Sequence, residues 1–262
     1  MIVNKPYLWQ AGLALTLVSM LGYCPQIQAN PNIFVAQETD SLPDRGAPKD
    51  TEGTANHFQS PQAISGKRQD DGSDRGICPT VDVGMTALVP RSTVGLTISE
   101  RPTFWFYIPY KDDLSQNADF VLVDEEKNIV YQTELQLAAT AGVVGIALPA
   151  SAAALEVGKK YQWTFSYTCN PNNSEDDAVV RGYVERTALS PEVAKELGAA
   201  RTGEKRYAIY AQNDFWYDTI TLLTELLLED PDKFQEHWES LLEKVGLEEI
   251  AKEPIVEQKR PE

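Results

Sequence analysis

The sequence predicts an α+β protein: an antiparallel β-sandwich followed by a small α-helical unit. Three observations predict it. From residue 78 to about 189, short alternating or apolar runs recur at intervals of roughly 8 to 14 residues, the spacing of a sandwich or barrel. Within this span, Thr103-Phe-Trp-Phe-Tyr-Ile108 is apolar on both faces of a strand, Phe104, Phe106 and Ile108 on one and Trp105 and Tyr107 on the other. After Leu189 the apolar period lengthens to three and four residues, that of helices.

Two segments precede the sandwich. Residues 1–29 have a weakly positive start at Lys5, an apolar run over 11–21 and the ending Ile27-Gln28-Ala29, the order of a secretory signal. The run is too short for a permanent anchor. Export to the periplasm, outer envelope or extracellular space is therefore expected, with no integral membrane segment once the signal is removed. Leu21-Gly22-Tyr23-Cys24 raises a lipoprotein signal as the alternative, but Tyr23 is bulky where a lipid-attachment box takes a small residue. Residues 30–77 are rich in Asp, Gly, Pro, Ser and Gln, and their scattered apolar residues show no period. Such a segment cannot bury enough surface to offset its ordering entropy, so a disordered linker is expected.

Once Cys24 leaves with the signal, Cys78 and Cys169 remain, an even number suited to one disulfide in an oxidising compartment. Closing a loop of about ninety residues is worth roughly 4 to 5 kcal/mol in the chain-entropy account. Two free thiols are the alternative. The formal charge is −16, and removing Lys5 makes the mature chain one unit more negative. Such a surface excludes nucleic acid and anionic lipid as partners. It suits solubility, divalent cations, neutral glycans and basic partner surfaces.

The expected strands of the domain at 78–189 are 86–89, 93–98, 103–108, 118–124, 129–136, 143–148, 161–169 and 179–187. Residues 124–128, Asp-Glu-Glu-Lys-Asn, read as a hairpin turn. Tyr161, Trp163, Phe165 and Tyr167 alternate with polar residues, so that strand packs on one face, whereas 103–108 belongs in the interior of a sheet. The cysteine after the Trp163 strand resembles an immunoglobulin-like architecture, without the cysteine and tryptophan spacing of true immunoglobulin domains.

The helical unit is expected at 190–250, before a flexible tail at 251–262. Ser190 and Pro191 start the first helix, and further helices follow over 203–212, 214–229 and 232–245. Trp216, Ile220, Leu223 and Leu227 form one apolar stripe, and Phe234, Trp238, Leu241 and Val245 another. Residues 207–231 resemble a tetratricopeptide repeat, with Thr219 at the small-residue position and Asp214 near the place of the turn glycine. One repeat cannot bury its own apolar face, so the unit must dock on the sandwich or on another protein.

Thr86-Ala-Leu-Val-Pro90, Glu100-Arg-Pro-Thr-Phe-Trp-Phe-Tyr-Ile-Pro-Tyr110, Gly158-Lys-Lys-Tyr161 with Trp163 and Cys169, Trp216-Tyr-Asp218, and Trp238 with Val245-Gly-Leu247 stand in one order. Over 78–254 the chain thereby resembles a bacterial family catalogued as domain of unknown function 928. The resemblance implies an exported protein with this two-part layout and carries no activity. Asn213-Asp214 departs from the glycine-containing turn expected there.

Catalytic chemistry finds little support. The two histidines, His57 and His237, are too few for a multi-histidine metal centre, and no nucleophile elbow, phosphate loop or dinucleotide fingerprint is present. Paired carboxylates for glycoside cleavage would come from Asp112 and Asp113, from Glu125 and Glu126, or from Glu175, Asp176 and Asp177. Asn172, Asn173, Glu175, Asp176 and Asp177 are weak calcium candidates, without the order of an EF-hand. No catalytic residue, cofactor or metal is assigned.

Two functions remain: a non-catalytic interaction module of the bacterial cell envelope, with another envelope protein as partner, or a polysaccharide-binding or carboxylate-dependent polysaccharide-cleaving protein. Trp105, Tyr107, Tyr110, Trp216 and Tyr217 are the candidate binding or interdomain surface, and the direction of Trp105 and Tyr107 discriminates the two readings.

Overall fold

A computed structural model describes residues 68–70, 78, 79, 81–111 and 117–259. The chain divides into the units Met1–Gly46 and Ala47–Glu262, of which the first lies wholly outside the described residues. The expected signal and most of the expected linker, with His57, therefore also lie outside them.

Among the described residues, ten strands and four α-helices follow in order: β1 (Gln69–Asp70), β2 (Met85–Ala87), β3 (Val94–Thr97), β4 (Thr103–Ile108), β5 (Asn117–Val123), β6 (Ile129–Gln136), β7 (Gly142–Ala147), β8 (Lys160–Tyr167), β9 (Ala178–Arg186), α1 (Pro191–Ala199), α2 (Gly203–Gln212), α3 (Trp216–Glu229), α4 (Pro231–Lys244) and β10 (Ile255–Lys259). One sheet has the order β1-β2-β4-β7-β10 and the other β3-β9-β8-β5-β6. The fold is α+β and sandwich-like.

Three expectations are corrected. The sheets are mixed: β3 runs parallel to β9, and β10 parallel to β7. Alternating polarity tells which face a residue takes but carries no strand direction. The tail at 251–262 contributes β10, whose main chain adds to the β7 edge although only Ile255 and Val256 are apolar. The stretch read as linker contributes β1, which pairs with β2 through Gln69 and Asp70, too short a strand to show a period.

β4 lies between β2 and β7, and all six of its residues are buried. Its Phe104 and Phe106 face the second sheet, where Phe106 stacks on Phe165 at 4.3 Å and Phe104 lies 4.8 Å from Phe120. β8 alternates buried and half-buried residues, as its pattern requires. The disulfide joins Cys78 to Cys169, with Cα atoms 5.1 Å apart.

Side chains cap three of the helix starts, those of α1, α2 and α4. Ser190 and Thr202 accept hydrogen bonds from Val193 N–H and Lys205 N–H and so cap α1 and α2. Asp230 ends α3 and also caps α4, with Pro231 in the first turn. Between α2 and α3, Asp214 takes φ 60°, the left-handed conformation that glycine would reach without strain. The turn thus keeps its shape without glycine. Arg68 closes the other end of α4, donating to the carbonyls of Val245 and Gly246 at 2.8 and 3.2 Å.

Candidate functional site

The five aromatics singled out in the sequence are all buried. Three of them meet where α3 docks on the sandwich. Trp216 Nε1 donates to the Leu88 carbonyl at 2.9 Å. Trp163 Nε1 donates to the Tyr217 hydroxyl at 2.8 Å, which in turn donates to the Tyr183 carbonyl at 3.0 Å. Trp105 Nε1 donates to Thr221 Oγ1 at 3.0 Å. Every one of these ring donors is paired, as burial demands.

Tyr217 reaches between the sheets, edge-on to Phe104 at 5.3 Å. Room for it comes from Gly95 on β3, where a Cβ would stand 2.6 Å from the Tyr217 ring. Burial pushes the Tyr217 hydroxyl far up, so it stays a neutral relay.

The other two aromatics lie apart. Tyr107 is held at about 12 by burial and by its hydrogen bond to Glu253, from the segment leading into β10. Tyr110 packs on Tyr167 at 4.8 Å. Trp105 and Tyr107 are 3 % and 6 % exposed, which leaves no ring face open for a sugar.

Beside the junction is a cleft of about 540 Å³, bordered by Arg101, Arg201, Arg206, Asp218, Glu225 and other residues. Asp218 is the cleft's buried carboxyl. Burial raises its carboxyl to about 6, against hydrogen bonds that favour the charged form, from the Thr97 hydroxyl at 2.8 Å and the Ile98 N–H at 3.0 Å. One carboxylate thus brackets β3 to α3. Among the described residues, no histidine or cysteine lines the cleft. The arginines are partly occupied: Arg101 donates to the Ala152 carbonyl and Arg206 to the Tyr210 hydroxyl.

The remaining candidates do not converge. Glu125 and Glu126 sit exposed in the β5–β6 turn, and Asp112 and Asp113 fall outside the described residues. In the 170–177 loop, Asp176 Oδ2 accepts from Asn170 Nδ2 and Asn173 Nδ2, both at 2.9 Å, and Asp177 Oδ1 accepts from Cys169 N–H at 3.2 Å. Asn173 Oδ1 accepts from Glu175 N–H, while Asn172 and Glu175 are exposed. These oxygens lock the loop, and among the described residues no three metal-ligating side chains gather. His237 packs against Tyr207 and Phe234 at ring distances of 5.9 and 5.7 Å.

Sequence reasoning missed Asp218 as a bracket and missed the facing pair Asp119 and Glu134, opposite each other on β5 and β6. The first lay in a motif noted only for its resemblance. The second becomes visible once the hairpin register is known.

Residues 69–255 match the family model described as Domain of Unknown Function (DUF928). No curated protein matches the chain. No helix among the described residues is long and apolar enough to cross a membrane.

Proposed function

Because the chain belongs to the DUF928 family, whose description assigns no activity, we propose a function from its own surface. The protein is an exported, non-catalytic protein-interaction module of the bacterial cell envelope. Its helical unit, tetratricopeptide-like in sequence, offers the binding face.

The observation that carries this reading is α1, a nine-residue helix that buries none of its residues. Val193 and Leu197 are half-buried at a four-residue spacing, and Leu189, one residue before the cap, is 40 % exposed. An apolar stripe left at the surface gains free energy only when something covers it. Export is supported by the signal-like order of 1–29 and by a disulfide suited to an oxidising compartment. A polysaccharide reading would need exposed rings, and those that motivated it are buried.

In-cell cross-linking with mass spectrometry tests the proposal on the native chain and on a V193E/L197E variant. Glutamate keeps helix propensity while removing the apolar stripe. A partner recovered with the native chain and lost with the variant is the expected result. Recovery of monomer alone from the native chain would overturn it.

A further inference from the structure

We propose that the outer edge of β6 receives an extended, Lys- or Arg-bearing strand of a partner protein, which extends the second sheet beyond β6. This inference rests on the interaction-module reading and names the partner's chemistry.

The two sheets have four edge strands, and three of them are short. β1 has two residues, β3 has four and lies against α3, and β10 has five and ends in Lys259. Short edges and edge lysines are the devices that prevent strand addition. β6 has eight residues, Ile-Val-Tyr-Gln-Thr-Glu-Leu-Gln, without Lys, Arg or Pro. Ile129 at its start is 62 % exposed. Among the described residues, no backbone hydrogen bond from any element other than β5 reaches Ile129–Leu135. A register shift near Ile129 interrupts that end of the ladder, so the usable edge begins at Tyr131.

Charge selects the occupant. Asp119 and Glu134 stand directly opposite each other, both on the solvent face, an arrangement that costs stability in a sheet. Burial and then the Glu134 charge raise the Asp119 carboxyl, and burial, with a smaller push from Asp119, raises Asp177. None of the three is in an ion pair with a described Lys or Arg. A cavity of about 290 Å³ opens between Asp119, Glu134 and Leu135. A strand laid along β6 sets one side chain beside Glu134 on this face, and a cation there neutralises the facing carboxylates. A second copy of the chain would bring another negative surface to the same place.

The test uses the full chain, with labelled peptides of alternating lysine and valine or alternating glutamate and valine. Fluorescence anisotropy reads binding, and amide hydrogen exchange reads the site. The lysine peptide is expected to bind about tenfold more tightly than the glutamate peptide, as favourable and unfavourable cross-strand charges dictate. Protection is expected within residues 131–135, and Glu134→Lys, which removes a like-charge contact and so leaves the fold intact, is expected to reverse the preference. Equal binding of the two peptides, protection elsewhere, or a dimer that protects β6 without peptide would each overturn the proposal. If α1-dependent cross-links are found while the peptides fail, the edge proposal alone falls. If no partner cross-links at all, the module reading falls with it.

Discussion

Trp105 turns its ring to the outer face of β4, where Thr221 of α3 accepts its N–H, and its ring lies over the backbone of Gly145 on the next strand. Trp105→Ala removes a buried ring at the boundary between sandwich and helices. A loss of roughly 3 to 5 kcal/mol is expected from denaturant unfolding. Asp218 acts at the same boundary with a pH signature. Its folded pKa is about 6, above the ordinary carboxyl value of 3.8, so between those values the folded chain holds a proton that the unfolded chain has released. Stability therefore falls as pH rises through that window, by about 2 to 3 kcal/mol in all, and this group adds no further change above it. Asp218→Asn keeps an oxygen for Thr97 and Ile98 without the buried charge. Its melting temperature is expected to lose that part of the pH dependence, which thermal unfolding at stepped pH will read.

At the scale of elements, the α4 end shows how distant segments finish a helix. Arg68 is expected to contribute about 1 to 2 kcal/mol through its bonds to the last carbonyls, lost in Arg68→Ala and measured by urea unfolding. Gly246 takes φ 71° there, and a Cβ would run into the Arg91 guanidinium. The exposed Arg91 side chain can swing aside, so Gly246→Ala is expected to cost about 1 kcal/mol, the strain of a left-handed alanine, read by urea unfolding. The longer helices and strands were legible because their apolar periods are regular, and the short β2 and β3 because turn residues bound their apolar runs. β1 and β10 were not, because an edge strand held by main-chain hydrogen bonds needs few apolar residues. The parallel pairings were also invisible, since polarity patterns do not distinguish strand directions.

Across the whole molecule, one apolar cluster runs from Met85 and Phe106 through Trp163 and Trp216 to Trp238 and Ile250. The helical unit is therefore part of the core and not an appendage. The two-faced aromatic strand made half of this visible in sequence, because both its faces demanded cover. What covered the second face was not legible: it combines α3 with Glu253, residues far apart in the chain that only the tertiary fold assembles. Facing carboxylates such as Asp119 and Glu134 were hidden for the same reason, since cross-strand register brings them together. The disulfide closes a separation of 91 residues, and its reduction is expected to lower stability by roughly 4 to 5 kcal/mol while leaving a single transition. Native-state hydrogen exchange of β4 and α3 amides with increasing denaturant tests the shared core most directly. The slowest amides of both elements are expected to open with the same free energy, equal to that of global unfolding. An α3 that opens at clearly lower free energy while β4 stays protected would contradict it.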